Sequence, residues 1–320
     1  MRSQKIRLKL TKEQERLAWW YSKVSRNFWN LLVDIDKRNN KGEFDEILNK
    51  NGNKTYHSKF YNREVYNLNQ FDYLNLAKIV VAKNYDKDKE KWSWYYQPNQ
   101  SFIYAFVSRE LVKIRKQNKG QLNFRSIHNV QPNFNVCCSV FPNKKRPSRI
   151  YIKDNGKLQI PTIGEVNFGS VRKDFDLSSK KQVTNISFDG KYWYLSYTED
   201  IEVQVADLPN YTDGVGIDLG IKTLATVSDG TSVPNIKTFR RVRILNKRLK
   251  RLQRKVSRKY LINKCNKHNK TKNIIKLERQ IKLIHRSLKN IRINHIRKFV
   301  SVLVKKQQQY IAIEDLNVKG

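Results

Sequence analysis

The sequence predicts an α/β multidomain chain: a small antiparallel β-barrel with a helical domain inserted into it, then a second α/β sheet carrying a basic helical hairpin. Three observations predict this. Apolar residues recur at spacings of three and four through 17–32, and residues 60–117 read as mostly helical. From about residue 122 the period changes to two, with hairpin turns between short strands. Beyond residue 210, two apolar strands that each carry an acid flank a basic stretch, 240–309.

The chain has 320 residues, enough for two or three compact domains. Its 65 Lys and Arg outnumber 28 Asp and Glu, a formal net charge of +37. A field of that size favours polyanions, nucleic acid first, and makes binding strongly salt-dependent. The apolar stretches fall short of the ~18 residues a membrane span needs, and Met1-Arg2-Ser3-Gln4-Lys5 lacks the apolar core of a signal peptide. A cytoplasmic, nucleoid-associated protein with no membrane partner is therefore expected. The three cysteines, Cys137, Cys138 and Cys265, include no Cys-x-x-Cys pair, and Cys265 with His268 lacks a second ligand pair for zinc.

Lys5-Ile6-Arg7-Leu8-Lys9-Leu10 alternates as a half-buried strand. Thr11 and Gln14 stand at capping-box spacing before a helix whose apolar face is Leu17, Trp20, Tyr21, Val24, Phe28, Leu31 and Leu32. Trp19, Trp20 and Trp29 are read as core rather than as base-stacking groups, because they fall at helical spacing. Residues 39–57 read as a loop rich in Asn, Gly and Lys. Trp92, Trp94, Tyr95 and Tyr96 lie in a Lys-flanked loop that suits either a stacking platform or a loop anchor. Candidate strands follow at 133–141, 149–154, 157–161, 165–169, 182–189 and 191–198, with hairpin turns at Asp154-Asn155-Gly156-Lys157 and Asp189-Gly190-Lys191. The expected domains are 1–10 with 122–208 as the barrel, 11–121 as the helical insert, and 211–320 as the second α/β unit.

In that last unit Asp218 ends the run Gly214-Val215-Gly216-Ile217-Asp218, read as a buried strand, and Leu224-Ala225-Thr226-Val227-Ser228 with the turn Asp229-Gly230 follows. This strand, turn, strand order opens a ribonuclease-H-like sheet. Residues 240–309 hold 25 Lys or Arg and one acid, Glu278, a net of +24. Leu245, Leu249, Leu252 and Val256 form one apolar stripe, and Ile281, Ile284, Leu288, Ile291, His295 and Val302 another, separated by polar Tyr260–Lys272. Two antiparallel helices that pack by these stripes leave Arg and Lys for phosphates. The final apolar strand, Tyr310-Ile311-Ala312-Ile313, leads into Glu314 and Asp315.

Phosphodiester hydrolysis by two metal ions about 3.5–4 Å apart needs converging carboxylates, and Mg²⁺ prefers such oxygens. Asp218 and Glu314 suit that role if their strands are neighbours. They are equally readable as lone strand-end acids, as Asp315 is. The glycines around Asp218 fail the spacing of both a dinucleotide fingerprint and a P-loop. An actin-like ATPase also opens on an apolar strand ending in Asp-x-Gly, but it would not require a +24 insert.

Residues 216–230, Gly-Ile-Asp-Leu-Gly-Ile-Lys-Thr-Leu-Ala-Thr-Val-Ser-Asp-Gly, resemble the first RuvC motif of the TnpB (OrfB) family of insertion-sequence proteins. Residues 248–259 resemble the basic helix that follows it, residues 311–320 the second RuvC motif, and residues 6–14 the family's opening strand and helix. The resemblance implies a transposon-associated, RNA-guided DNA endonuclease related to type V CRISPR effectors. It implies a wedge-like β-barrel holding a helical recognition domain, then a RuvC domain with a two-metal Mg²⁺ site. Asp218 and Glu314 match the first two catalytic acids. Guide RNA from the transposon end and double- and single-stranded DNA are the implied partners. The nucleic-acid contacts are assigned to Arg241, Arg248, Arg251, Arg254, Lys255, Arg258 and Lys259. The family's zinc ribbon and third acid have no counterpart in these 320 residues. The expectation is thus an incomplete RuvC domain: a fragment, a decayed copy, or a nuclease-inactive RNA- and DNA-binding protein.

Overall fold

A computed structural model describes residues 2–49, 55–58, 62–97, 100–118, 120–126, 131–137, 150–169, 183–199, 214–265, 270–306 and 310–314. The chain divides into two compact units, Met1–Ile201 and Glu202–Gly320. Strands of a large antiparallel sheet and several helices make it an α/β protein.

The first unit begins with β1 (Arg2–Lys9) and α1 (Lys12–Asn40). The helix starts where its capping box predicts: Gln14 N donates to Thr11 Oγ1 (3.2 Å), and Thr11 N donates to Gln14 Oε1 (3.1 Å). Tyr21, Val24, Phe28, Leu31 and Leu32 are buried as expected, whereas Leu17 is exposed. Of the three tryptophans, Trp29 is core, Trp20 packs at the edge of the core, and Trp19 is largely exposed against Phe188 and Trp193.

The stretch expected to be loop carries structure. It holds the end of α1, then α2 (Asp45–Asn49) and β2 (Thr55–Ser58), which pairs antiparallel with β3 (Arg63–Tyr66). That hairpin also corrects the helical reading of residues just after 60. The helices that follow are α3 (Gln70–Tyr85), α4 (Lys89–Trp92) with a 3₁₀ turn at Ser93–Tyr95, and α5 (Ser101–Gln117). The aromatic cluster at 92–96 is therefore mostly short-helical rather than looped. Its Trp92, Trp94 and Tyr95 pack on the core, and Tyr95 stacks on Tyr104 at 4.9 Å.

The remaining strands of this unit are β4 (Asn133–Cys137), β5 (Tyr151–Ile152), β6 (Leu158–Ile160), β7 (Gly164–Phe168), β8 (Val183–Phe188) and β9 (Trp193–Glu199). They are shorter than predicted at several ends, and 138–141 lie outside the described residues. The sheet order is β4-β8-β9-β1-β7-β6-β5. The N-terminal strand thus sits mid-sheet, pairing Ile6 with Leu195 and Leu8 with both Trp193 and Phe168. Helices α1 to α5 leave the sheet after β1 and return to it at β4, and α1, α3, α5 and the sheet share one apolar core.

A buried ion pair lies among the helices of that core. Asp36 on α1 lies 2.9 Å from Arg115 Nε on α5 and accepts from Tyr73 Oη of α3 at 2.5 Å. Arg115 Nη1 donates to Asn67 Oδ1 at 3.0 Å. Burial pushes the Asp36 carboxyl above its usual range although Arg115 and Tyr73 pull it back, and burial drives the Tyr73 phenol well up. Removing one partner leaves a dry, unpaired charge. Asp36→Ala should therefore cost about 3–5 kcal/mol in urea unfolding; a loss under about 1 kcal/mol would mean the pair behaves as a wet surface bridge.

The second unit holds β10 (Val215–Asp218), β11 (Thr223–Val227), β12 (Ser232–Pro234) and β13 (Ile311–Ile313), in the order β12-β11-β10-β13. Strand β12 is an addition to the expected elements. A 3₁₀ turn at Ile236–Thr238 leads to α6 (Arg240–Cys265) and α7 (Lys272–Lys305), which pack along each other. Phe239 meets His295 and Tyr260 meets Glu278, so the helices run antiparallel. α6 continues through Tyr260 to Cys265, beyond the expected end of the first helix.

Candidate functional site

Alternation builds the acidic face. Val215 and Ile217 are buried with Ala225, Val227 and Leu303 on one side of the sheet, so Gly216 and Asp218 lie on the other. Asp218 is accordingly exposed at the end of its strand rather than buried in it, which corrects the reading of a core charge. On β11, Thr226 pairs with Asp218, and Ser228 N donates to the Gly216 carbonyl at 2.9 Å.

β13 brings the second acid. It pairs parallel with β10 in the register Val215↔Ile311, Gly216↔Ala312 and Ile217↔Ile313. Val215 N donates to the Tyr310 carbonyl at 3.0 Å. The next step places Asp218 beside Glu314, and both line one open groove with Gly216, Thr226, Ser228 and Ala312. Neither carboxylate has a hydrogen-bond or ion-pair partner among the described residues. The phenol ring of Tyr310 lies over Gly214, where any Cβ would collide with it. At Gly216 the nearest heavy atom to an added Cβ would be Ser228 Cβ at 3.9 Å, so the absence of a side chain leaves the groove floor open beside Asp218.

Two exposed hard oxygen donors over an open floor fit a Mg²⁺ ion that keeps several waters. Among the described residues no group of three or more His, Cys, Asp or Glu comes together. Asp315, Cys138 and His268 lie outside them.

The basic hairpin is built as its stripes predict, with adjustments. Leu249, Leu252 and Ile284 are its buried centre, flanked by Leu245, Leu277, Ile281 and Leu288. At the far end of α7 the buried residue is Leu303, and Val302 is exposed, because α7 turns Leu303 toward the sheet. His295 leaves the stripe to anchor α7: its Nε2 donates to the Pro234 carbonyl at 2.9 Å, and its ring meets Phe239 edge-on at 5.2 Å.

Arg241, Arg248, Arg251, Arg254, Lys255 and Arg258 are exposed and Lys259 half-exposed. None of the seven has an ion-pair partner among the described residues. Like charges three and four apart on α6 repel by a few tenths of a kcal/mol per pair, a cost that a bound polyanion relieves. The single acid of the hairpin, Glu278, is taken by Lys270 and Tyr260.

Residues missed by sequence reasoning are Thr226 and Ser228, which the strand alternation of β11 places on the groove face, and Lys306. Lys306 caps α7 and pairs with Asp229 in the β11–β12 turn. The hydrogen bond from Lys306, helped by Thr231, holds the Asp229 carboxyl down at about 2.

A carboxyl depressed in the folded state stabilises above its unfolded pKa, and the contribution is lost as pH falls through the folded one. The stability difference between wild type and Lys306→Met should thus be full above pH 4 and shrink between about pH 4 and 2, as urea titrations at each pH would show. A difference constant down to pH 2 would rule out the pair. On the hairpin, replacing Arg251 and Arg254 with Gln should weaken binding to all nucleic-acid sequences alike and make the log K against log salt slope shallower by roughly one to two. A sequence-selective loss would contradict backbone contact.

Residues 198–320 match the family model OrfB_IS605, described as "Probable transposase". The chain is 32% identical over 168 residues to "Putative RNA-guided DNA endonuclease InsQ" of Escherichia coli K12, covering 52% of this chain and 38% of that protein. It is 33% identical over 128 residues to "Putative RNA-guided DNA endonuclease" of Streptomyces pristinaespiralis, covering 40% of this chain and 28% of that one. The matches span well under half the length of either relative. Among the described residues no helix is long and apolar enough to cross a membrane. The family match spans the acid-bearing strands and the basic hairpin, so this part of the chain is similar to the OrfB_IS605 family.

Proposed function

We propose that this chain supplies the first two carboxylates and the nucleic-acid-binding hairpin of a RuvC-type, Mg²⁺-dependent, RNA-guided DNA endonuclease. The observation that carries this reading is the parallel pairing that sets Asp218 next to Glu314 on one open face. The relatives' printed names support an RNA guide and a DNA substrate. In this reading the seven-stranded sheet and its inserted helices are the wedge-like barrel and recognition domain, and residues 211–320 are the RuvC part.

Asp218 and Glu314 would hold the cation, and Gly216 keeps their shared floor free of side-chain bulk. A bound Mg²⁺ supplies charge neutralisation at the phosphate and a more acidic water. The chain's own contribution is to position. Strand register fixes the two carboxylates, and Arg248, Arg251, Arg254, Lys255 and Arg258 bind a sugar-phosphate backbone along α6. Thr226 and Ser228 add hydroxyl donors on the same face.

A second reading, nucleic-acid binding without cutting, is favoured by one observation: no third acid joins Asp218 and Glu314 among the described residues. A nicking assay on the 320-residue chain with transposon-end RNA, target DNA and Mg²⁺ separates the two. The nuclease reading expects cleavage that Asp218→Ala abolishes while RNA binding persists. Binding without cleavage by the unaltered chain supports the second reading. Cleavage that survives Asp218→Ala would overturn the metal assignment.

A further inference from the structure

The first unit contains a cleft that the metal face and the hairpin do not use. Its lining includes two indoles, Trp20 on α1 and Trp94 in the 3₁₀ turn after α4. Each ring has aromatic neighbours: Trp20 meets Tyr21 edge-on at 5.0 Å, and Trp94 meets Trp92 at 6.3 Å and Tyr95 at 5.9 Å. The cleft has a volume of about 730 Å³, within the roughly 300–1,000 Å³ of small-molecule sites.

Polar groups of both kinds edge this space. Asn27 and Gln97 offer amides, and Asp88 and Glu90 offer carboxylates. Asp88 Oδ1 is committed to capping α4 through Lys91 N at 3.0 Å. Among the described residues the Asn27 and Gln97 side chains and both indole N–H groups make no hydrogen bond. Indoles in the lining, with unspent donors and acceptors beside them, suit a planar heterocycle that presents a hydrogen-bonding edge.

An independent observation lies one turn along α1. Lys23 lines the cleft and also an adjoining hollow that holds Arg26, Ser22 and Ser25. Arg26 is half-buried without a carboxylate partner among the described residues, and burial lowers its pKa. A partly dehydrated guanidinium beside two hydroxyls calls for an anion with several oxygens. A heterocycle site next to an oxyanion site, sharing one lysine, has the outline of a nucleotide.

We propose that the Trp20–Trp94 cleft takes an unpaired nucleobase of a bound strand, with the adjoining phosphate at Arg26 and Lys23. The proposal rests on the nucleic-acid-binding reading above and adds to it a stacking site remote in sequence from the hairpin.

The test is photo-crosslinking of the full chain to short single strands carrying 4-thiouridine (RNA) or 4-thiothymidine (DNA), with adducts mapped by mass spectrometry. Adducts should fall on peptides containing Trp20 or Trp94, and whichever strand gives them identifies the source. The double change Asn27→Ala, Gln97→Ala alters only rim amides, and it should reduce these adducts on the order of tenfold, the factor expected for losing two hydrogen bonds. As a check that needs no variant, an otherwise identical strand made abasic at several positions should bind on the order of tenfold more weakly than the intact one. Adducts confined to 240–305 with normal strand binding would overturn the cleft and leave the nucleic-acid reading standing. Failure to bind any strand would overturn both.

Discussion

The pairing of β10 with β13 is the constraint on which the candidate site depends. The acids it joins are 96 positions apart, at 218 and 314, so local sequence cannot hold them together. Three paired positions in a parallel ladder set the register, and a slip of one residue would turn Glu314 to the opposite face. Parallel strands need a long crossover, and here β11, β12 and the whole basic hairpin lie between β10 and β13. The basic hairpin is therefore part of the connection that aligns the carboxylates.

That link also explains the contacts at the hairpin's base. His295 to Pro234, Phe239 to His295, Lys306 to Asp229 and Leu303 under Val215 and Ile217 all tie α7 to the small sheet. The apolar centre at Leu249, Leu252 and Ile284 is small for helices so highly charged. These contacts fix the end of α7, the last helix before β13.

Much of this is legible from short-range pattern. The Thr11–Gln14 capping box, the Asp189-Gly190 hairpin and the apolar alternation around Asp218 each rest on residues within a few positions of one another, where local physics decides. The readings that fail depend on distant partners. Asp218 looks buried because its neighbours are apolar, yet alternation turns it outward. The β2–β3 hairpin lies in an Asn- and Lys-rich stretch that carries little strand signal, and the Asp36–Arg115–Tyr73 group joins three helices separated by long intervals. Val302 and Leu303 are both apolar, and only the direction in which α7 meets the sheet chooses between them. The adjacency of Asp218 and Glu314 follows from sequence only on the condition that their strands are neighbours, and strand order is a tertiary fact.

If these two carboxylates form one cation site, Mn²⁺ binding reveals it without requiring turnover. Titration of the chain with Mn²⁺, followed by electron paramagnetic resonance of the free ion, should show a site that Mg²⁺ competes for. Both Asp218→Asn and Glu314→Gln should weaken that site, and the double variant should be no weaker than the more severe single one, because either change breaks the shared site. Mn²⁺ binding unchanged by both substitutions would contradict a site built on this pair.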